Sequence, residues 1–464
     1  MLILGGGFGG LYAALRLEKT LARRRDVEIT LVNRENFFLF TPMLHEVAAS
    51  DIDLTNIVSP VRKLLRRVNF FAGSVEQVDL ATRRVVVSHG SEVHRHALEY
   101  DHLVIALGAV TNFYDLPGLE HHAQAMKSLG DAIYLRNHII AHLEQADFDC
   151  CAEMRQGLLT FVVAGGGFAG VETIAAINDF VREAIRAYPN LREDDLRMIL
   201  VHSGPVILPE LGEKLGIYAA KKLGKRKVEI RVNTRVRGAS GRGVELSDGT
   251  TVETSTLIWT AGTSPNPILD TLPCRRERGR IVVNELLEVP DWPGVWALGD
   301  CALVPDRRTG KYCPPTAQHA VREGTLVAHN ITAAIRHGRK KAFSFATMGQ
   351  LAAIGRRTGV GIICGISFSG FFAWWLWRTV YLGKLPRFEK KVRVALDWTL
   401  DLLFPKDLIQ FMTLRSQAVS RAEDERPKSL LQANVESKSL PQAPAARPLA
   451  DEGGSDITTG GRHV

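Results

Sequence analysis

Two short glycine-rich phrases carry residue types that can bind a dinucleotide. Residues 5–10 read GGGFGG and residues 165–170 read GGGFAG, so each fits the spacing G-x-G-x-x-G. Such glycines let the backbone approach a pyrophosphate, which accepts hydrogen bonds from the first turn of the following helix. One phrase alone could be a packing turn, but two strand–turn–helix units predict one bound and one diffusible dinucleotide. The candidate contacts are Gly5, Gly7, Phe8, Gly9, Gly10, Gly165, Gly167, Phe168, Ala169 and Gly170.

The strand after each phrase ends without the acid that usually holds the ribose hydroxyls. The apolar run 27–32 is followed by Asn33 and Arg34, and the run 196–201 is followed by His202 and Ser203. An amide accepts from one hydroxyl and donates to the other, so Asn33 and Arg34 are candidate contacts of the first nucleotide. Without a carboxylate to repel a 2′-phosphate, the choice between NADH and NADPH stays open.

Other strands also end at the predicted cofactor cleft. The run 100–108 brings Ala106 and Gly108 there, and the run 257–263 brings Ala261 and Gly262. A further strand stops at Gly299-Asp300, where one carboxylate can accept from ribityl hydroxyls while the next N–H groups meet the pyrophosphate. The alternative is that Asp300 merely opens a helix.

The elements around these sites follow from local patterns. We predict helices over 11–21 and 131–144, a β-hairpin layer from the strand-like runs 69–72, 75–78 and 84–88, and a loop over 148–157. The aromatic stretch 37–46 is expected in the core.

Composition limits the class of protein. A chain of 464 residues with 45% hydrophobic and 23% charged residues suits two or three globular domains. The net charge of +8 suits an anionic membrane surface, since no nucleic-acid recognition motif is present. Six scattered cysteines without C-x-x-C favour reduced thiols in the cytosol and no metal site. No secretory leader precedes the first strand, which is short enough that Met1 is either a mis-assigned start or a trimmed end.

The uncharged stretch 359–377 is formally long enough to span a membrane. Its glycines and serines favour a strand to Ile366, a turn at 367–370 and a helix from Phe371 instead. The helix carries Trp374, Trp375 and Trp377 and is followed by basic residues, as at a bilayer interface.

A second amphipathic helix is predicted over 389–404, with Val392, Leu396 and Leu403 on its apolar face. This helix either packs on its own domain or on a dimer partner, or it anchors the chain to a lipid surface, which we favour. Residues 415–464 are polar and rich in small residues and proline, which predicts a disordered tail.

Over residues 1–412 the chain resembles the two-dinucleotide-binding flavoproteins, and among them the type II NADH:quinone oxidoreductases. The resemblance lies in the two glycine phrases, Phe40 to Leu44, Thr260 to Gly262, Gly299-Asp300 and Ala317 to Ala320. It implies an α/β fold with two Rossmann-like domains, the second inserted in the first, and a C-terminal α+β membrane-binding region. The implied FAD-binding domain comprises 1–111 and 250–330, the NAD(P)H-binding domain 112–249, and the membrane-anchoring region 331–414.

The resemblance also assigns roles to single residues. It places Thr41, Pro42, Ala317, Gln318 and His319 beside the cofactor, and Gln318 resembles the first glutamine of the quinone-site pattern. Arg322 stands where that pattern has a second glutamine, which leaves the preferred quinone open. The match to Glu172 implies an acid near flavin and nicotinamide that relays protons to quinone.

The implied activity is FAD-dependent oxidation of NADH, or of NADPH, with two-electron reduction of a membrane quinone, ubiquinone or menaquinone, and without proton pumping. A peripheral homodimer on the cytoplasmic side of the cell membrane is expected. Disulfide reduction is excluded because no cysteine precedes Cys150. The alternatives are a sulfide:quinone oxidoreductase using Cys150, Cys151 and Cys313, a soluble NAD(P)H reductase with another acceptor, and a flavin-binding redox sensor.

Overall fold

A computed structural model describes residues 1–90 and 93–411 of the chain. The tail predicted over 415–464 lies outside the described residues. The helices within the described residues are α1 (Phe8–Thr20), α2 (Leu44–Ala48), α3 (Val61–Leu64), α4 (Leu119–His122), α5 (Leu129–Asp147), α6 (Arg155–Leu158), α7 (Phe168–Ala184), α8 (Glu213–Lys225), α9 (Ala317–Ile335), α10 (Phe371–Lys384) and α11 (Phe388–Leu403). Short 3-10 helices span Thr41–Met43, Leu54–Ile57, Asp149–Met154, Ile185–Ala187, Glu193–Asp195, Pro209–Leu211, Pro267–Thr271 and Gly299–Cys301.

A first parallel sheet begins with the first strand of the chain. In spatial order its strands are Val295–Ala297, Leu103–Ile105, Leu2–Leu4, Thr30–Asn33 and Asn69–Ala72. The central strands are buried on both faces, as expected for a parallel sheet covered by helices. The assignment of 69–72 to the hairpin layer was therefore wrong, because this segment pairs in parallel with Thr30–Asn33.

A second parallel sheet is built around the second glycine phrase. Its order is Ala123–Ala125, Thr256–Trp259, Thr160–Ala164, Arg197–Val201 and Val228–Arg231. The two sheets are joined where Ala109–Thr111 runs antiparallel to Thr263–Pro265. The predicted return to the first domain at residue 250 is too early, because Thr256–Trp259 still pairs with Thr160–Ala164.

Smaller antiparallel sheets complete the two halves. The expected hairpin layer comprises three strands, Ser74–Asp79, Arg84–His89 and His94–Glu99, of which the third was not predicted. The other antiparallel strands are Phe37–Leu39 with Val58–Pro60, and Val236–Ser240, Gly243–Leu246 and Thr251–Glu253. Arg276–Glu277, Arg280–Val282 and Ala302–Leu303 form a mixed sheet. The expected loop 148–157 is largely helical instead.

The C-terminal region is a three-stranded sheet followed by α10 and α11. The strands Gly349–Ala353, Gly359–Ile363 and Ile366–Gly370 pair consecutively and antiparallel. The predicted turn at 367–370 was wrong, because this segment belongs to the third strand and the turn is formed at 364–365, where Cys364 and Gly365 both adopt positive φ. The predicted helix start at Phe371 is confirmed. Among the described residues, no helix has both the length and the apolarity that a membrane span requires.

Candidate functional site

The two glycine turns have matching backbone geometry. Gly5 donates its N–H to the Val32 carbonyl at 2.8 Å, and Gly165 donates to the Val201 carbonyl at 2.9 Å. A Cβ on Gly10 would lie 1.9 Å from the Gly5 carbonyl oxygen, and one on Gly170 would lie 1.8 Å from that of Gly165. Neither α1 nor α7 has a side-chain cap on its first N–H groups. Both helices therefore present free donors and a positive dipole end to an anion.

Asn33 and His202 perform the same task in the two turns. The Asn33 Oδ1 accepts from the Gly6 N–H at 2.8 Å, and the His202 Nδ1 accepts from the Gly166 N–H at 3.1 Å. Asn33 also donates to the Glu35 carbonyl at 2.7 Å. Both side chains therefore brace the glycine turn, which leaves them less capacity for ribose than the sequence suggested. Arg34 points into solvent and pairs with Glu35.

Glu210 is a carboxylate beside the second turn that sequence reasoning missed. Its Oε1 lies 3.9 Å from the position that a Cβ on Gly167 would occupy. The loop that carries it is fixed to the turn, because Leu208 donates its N–H to the Gly166 carbonyl at 2.7 Å. A carboxylate that is absent at the end of the strand is therefore found beside the second turn on a loop, eight residues after His202 and beyond the reach of the usual spacing rule.

The first turn of α9 packs directly on the first glycine turn. A Cβ on Gly9 would lie 2.1 Å from Leu298 Cδ1 and 3.6 Å from the Ala320 carbonyl oxygen. Farther along α9, the buried Glu323 accepts from the Gly299 N–H at 2.7 Å. These contacts bring the Gly299–Asp300 turn, α1 and α9 to one place, and they fix the strand end that carries the partly buried Asp300.

Open space lies where a flavin nucleotide would be held. A Cβ on Gly7, or on Gly108 with its φ of +69°, would meet no heavy atom within 4 Å. Ala106 is buried against Gly5, whose Cβ would lie 2.3 Å from the Ala106 carbonyl oxygen. In the second half, Gly165 approaches Ala261, and Tyr114 covers Gly262. The residues present therefore fit FAD at the first turn and a second dinucleotide at the other.

Glu172 is buried between the two halves of the site. Its Oε1 accepts from the Ala353 N–H at 3.1 Å and from the Trp377 indole N–H at 2.9 Å. Burial raises the pKa of this carboxyl group from 4.5 to about 8, although both hydrogen bonds oppose the rise. Glu172 is therefore protonated at neutral pH and can donate a proton.

Two residues of α2, a histidine and a second buried acid, lie beside Glu172. His45 Nδ1 lies 3.9 Å from Glu172 Oε2, but burial lowers the pKa of His45 to about 3, so the imidazole is neutral and the contact is no ion pair. Glu46 accepts from the Trp398 indole N–H at 3.1 Å, and burial raises its pKa to about 8. Sequence reasoning placed 37–46 only in the core and missed both groups.

A small polar cavity connects Glu172 and Glu46 with further charged side chains. Its volume is about 40 Å³, which is enough for a water molecule. Asp51, Arg378 and Asp401 contribute to its wall, together with Lys406, which forms an ion pair with Asp51. The cavity therefore has room for a water molecule beside Glu172.

Gln318 is tied to the same strand that holds Glu172. Its Nε2 donates to the Gly349 carbonyl at 2.8 Å, while Ala353, four residues later on that strand, donates to Glu172. At roughly 3.3 Å per strand residue, the two anchor points are about 13 Å apart. Phe40, Trp377 and Tyr381 form an aromatic cluster beside Glu172, with the centroid of the Tyr381 ring 4.8 Å from that of Trp377 and 6.2 Å from that of Phe40.

The other residues predicted around Gln318 are also located. Ala317 is the first residue of α9, and Thr316 caps this helix. His319 is buried, and its Nδ1 lies 2.7 Å from the Thr316 Oγ1. Thr41 and Pro42 lie in the turn before α2, directly after Phe40.

Two of the cysteines, Cys301 and Cys313, are poorly suited to sulfur chemistry. Burial raises the pKa of Cys301 to about 11 and that of Cys313 to about 12. Both thiols therefore stay protonated at neutral pH and are weak nucleophiles. Among the described residues, no cluster of histidine, cysteine or acid side chains could hold a metal ion.

Two joined Rossmann-like sheets, each with a glycine turn, define the class of the pyridine nucleotide-disulphide oxidoreductases. Residues 1–324 match the family described as "Pyridine nucleotide-disulphide oxidoreductase", and residues 347–407 match the "NDH2 C-terminal domain".

Within this class the chain belongs to the type II NADH:quinone oxidoreductases. It is 33% identical over 422 residues to the type II NADH:quinone oxidoreductase Ndh of Mycobacterium tuberculosis, covering 87% of this chain and 88% of that protein. It is 28% identical to the external NADH-ubiquinone oxidoreductase 2 of Saccharomyces cerevisiae mitochondria, covering 86% of this chain and 80% of that protein. The fold matches the structure of NDH2 from Plasmodium falciparum in complex with NADH, with a TM-score of 0.82, 19% identity, and coverage of 88% of this chain and 99% of that chain.

Proposed function

We propose that this chain uses bound FAD to oxidise NADH and reduces a membrane quinone by two electrons, without pumping protons. The observation that carries the proposal is the position of Glu172, a protonated acid at the second glycine turn that is joined by one strand to Gln318. The M. tuberculosis and S. cerevisiae relatives are named for NADH and for quinone or ubiquinone, and they support the same substrates here.

FAD is supported by the first turn. Gly5 to Gly10 and the N-terminus of α1 would hold its pyrophosphate, and Asp300 would accept from its ribityl hydroxyls. When bound, the flavin accepts a hydride and passes two electrons onward. Glu323 would keep Asp300 in position through the Gly299 N–H.

NADH is favoured over NADPH by Glu210. Its carboxylate lies beside Gly167, where the adenosine end of a nucleotide on α7 would approach. A negative charge here would repel a 2′-phosphate and accept from a ribose hydroxyl. The helix N-terminus at Phe168 and Ala169 would hold the pyrophosphate, which directs the nicotinamide toward Glu172.

Quinone reduction assigns distinct tasks to the residues between Gln318 and Glu172. The aromatic rings of Phe40, Trp377 and Tyr381 provide an apolar, water-poor lining for the acceptor ring. Glu172 would donate a proton as the acceptor is reduced, and the polar cavity at Glu46 and Asp51 would reprotonate it from solvent.

Membrane association is supported by an unusual orientation of α11. The helix packs on the protein through Trp398, Val394 and Lys390, which are buried, and Asp397 accepts from the Asp53 N–H at 3.0 Å. Its predicted apolar face points outward. Exposed apolar side chains there and on α10 are Phe371, Phe372, Trp375, Phe388, Val392, Leu396, Leu400, Leu402, Leu403 and Phe404.

Such exposed apolar side chains suit insertion into one leaflet of an anionic membrane. We place it on the cytoplasmic face, where the reduced thiols and the positive charge are compatible with the surroundings. The homodimer inferred from family resemblance stays a prediction.

The decisive experiment is steady-state oxidation of NADH and NADPH by the purified protein with a short-chain quinone. We expect bound FAD, turnover with quinone, and faster turnover with NADH. No turnover with either nucleotide would overturn the proposal. The sulfide enzyme is the rival, and its test is loss of quinone reduction when Cys150, Cys151 and Cys313 are each replaced by serine.

A further inference from the structure

Arg322 places a positive charge next to Gln318, which is one boundary of the proposed quinone site. Its Cζ lies 3.9 Å from the centroid of the Phe345 ring, and its Nη1 donates to the Gln318 carbonyl at 3.1 Å. The stacked ring and the backbone bond fix the guanidinium plane while other N–H groups remain available. Arg322 forms no ion pair with a carboxylate in the part of the chain that the structure describes.

Lys384 at the end of α10 is a second cation near Arg322. Its Nζ lies 5.4 Å from the centroid of the Tyr381 ring. Desolvation and the nearby charge of Arg322 both lower the pKa of Lys384. Within residues 1–90 and 93–411, no ion pair with an acid neutralises Lys384 either. Two neighbouring cations without a counter-ion are electrostatically unfavourable, so the pair is suited to an anionic ligand.

Both cations lie on the Gln318 side of the aromatic cluster that borders Glu172. Lys384 contacts Tyr381, the Tyr381 ring packs 4.8 Å from Trp377, and the Trp377 N–H reaches Glu172. Arg322 is held to the backbone of Gln318, whose side chain marks the other boundary. An acceptor ring between these boundaries would have a proton donor at one end and two cations at the other.

We propose that Arg322 and Lys384 form an oxyanion site that binds the negatively charged form of the acceptor. This inference rests on the proposed quinone reduction. Two electrons and one proton convert a quinone to the hydroquinone monoanion, and a second proton completes the hydroquinone. The hydride of NADH supplies the electrons and one proton equivalent, and solvent supplies the other proton through Glu172. The oxygen that carries the charge in the monoanion is the one that Arg322 and Lys384 face.

The charge also distinguishes this chain from the glutamine pattern that it resembles. A glutamine at position 322 would offer a neutral amide, whereas arginine offers charge-assisted hydrogen bonds in a fixed plane. Arg322 therefore selects acceptors and inhibitors that bear an ionised oxygen. A hydroxynaphthoquinone that is ionised at neutral pH is a direct probe, and its methoxy ether is the uncharged counterpart.

The experiment measures dissociation constants of both probes for the FAD-loaded enzyme by quenching of tryptophan fluorescence. We expect the ionised probe to bind wild type at least about tenfold more tightly than the ether, the size expected for a hydrogen bond to a charged group. Arg322→Gln should weaken the ionised probe by about tenfold and leave the ether unchanged, and Lys384→Gln should act in the same direction. Arg357→Gln, at an exposed arginine, is the matched control and should change neither value.

The result that overturns the inference is equal binding of the two probes by wild type, or an unchanged preference in both Arg322→Gln and Lys384→Gln. This failure is distinguishable from failure of the proposed function. If wild type reduces a neutral quinone with NADH but shows no preference for the ionised probe, the oxyanion site is wrong and quinone reduction stands. If it reduces no quinone, the proposed function is wrong.

Discussion

Glu172 and Glu46 are carboxyl groups that burial keeps protonated near neutral pH, and each accepts a hydrogen bond from a tryptophan indole. An indole N–H fixes an acceptor oxygen without supplying a charge, so the carboxyl group is oriented and its pKa stays high. A group with a pKa near the working pH is the most efficient proton donor. Glu172, which lies at the second turn, is the better placed of the two to act on the acceptor.

Glu172→Gln should impair quinone reduction far more than reduction of the flavin by NADH. The amide keeps an oxygen for Trp377 and Ala353 but has no proton to give, so turnover with quinone should fall by about a hundredfold or more. Wild-type turnover should decline as the pH rises through about 8, where Glu172 loses its proton. Stopped-flow flavin bleaching and steady-state turnover across pH separate the two steps.

The exposed Glu120→Gln is the control for this prediction, since it should alter neither step. If Glu172→Gln reduced quinone at the wild-type rate at every pH, the proton would have to come from another group.

Sequence reasoning located Glu172 because it lies two residues after Gly170, within one local motif. Its partners could not be found in that way. Trp377 lies 205 residues from Glu172, and Trp398 lies 352 residues from Glu46. Nothing local marks such pairs, because they form only when α10 and α11 pack against α7 and α2.

At the scale of the element, each glycine turn is a strand–turn–helix unit whose last glycine has no room for a side chain. Gly10→Ala and Gly170→Ala each place a Cβ less than 2 Å from the backbone of the same turn. We expect Gly10→Ala to be purified with little FAD. Gly170→Ala should retain the flavin spectrum but fail to bleach with NADH, because only the second turn is distorted.

Flavin absorbance and anaerobic NADH titration measure the two outcomes. If flavin were lost from Gly170→Ala alone, the second turn would bind FAD and the first turn would bind NADH. Gly224→Ala is a suitable control: it lies in α8, where a Cβ would meet no heavy atom within 4 Å and the backbone is helical.

The outward apolar face of α11 makes a second prediction at this scale. Replacing Leu396 and Leu400, which are 57% and 51% exposed, by glutamate should abolish binding to anionic lipid vesicles. Both side chains are solvent-exposed, so the folded state should lose less than about 0.5 kcal/mol per site. Vesicle co-sedimentation is the measurement, with soluble NADH–quinone activity as the check on folding.

Phe148→Glu provides the matched control, since Phe148 is 62% exposed but lies at the end of α5. If the α11 variant still sediments with vesicles, another surface binds the membrane, or the apolar face is covered by a protein partner.

Element boundaries were predictable where the signal was local. The starts of α10 and α11 follow from a preceding glycine and from the 3.6-residue period. The turn at Cys364-Gly365 was misplaced, because the nearby serine-rich segment has a composition more typical of a turn. The strand Asn69–Ala72 was assigned to the wrong sheet for a different reason. Its short apolar pattern fits either sheet, and only its parallel pairing with Thr30–Asn33 decides between them.

At the scale of the whole molecule, three parts of the chain, namely the first sheet, the second sheet and the C-terminal region, have different proposed tasks around Glu172. The first sheet carries the turn proposed to hold FAD, the second sheet carries the turn proposed to hold NADH, and the C-terminal region supplies the strand and the indole that contact Glu172. The two-sheet plan was predictable, because the glycine phrase recurs. The way in which the C-terminal region closes the site was not, because its contacts with the two sheets are all distant in sequence.

The buried acids and histidines also determine how the free energy of unfolding depends on pH. Burial raises the pKa of Glu46 and Glu172 from 4.5 to about 8 and that of Glu323 to about 7, so the folded state binds more protons than the unfolded state between these values. Stability contributed by these acids is therefore lost as the pH rises. His45 and His142 act in the opposite direction, because burial lowers their pKa from 6.5 to about 3 and stability rises with pH over that window.

The two effects oppose each other below pH 6.5, but above it the histidines no longer titrate and the three acids are opposed mainly by the Met1 amino group, whose pKa burial lowers from 8.0. We therefore expect the midpoint of thermal unfolding to fall between pH 6.5 and 8, with each unit of pKa shift worth about 1.4 kcal/mol at most. Glu46→Gln should flatten this decline, because its amide still accepts from Trp398 and cannot ionise, whereas the exposed Glu120→Gln should not. A midpoint that is constant or rising over this interval would mean that the acids are ionised in the folded protein, which would also remove Glu172 as a proton donor at neutral pH.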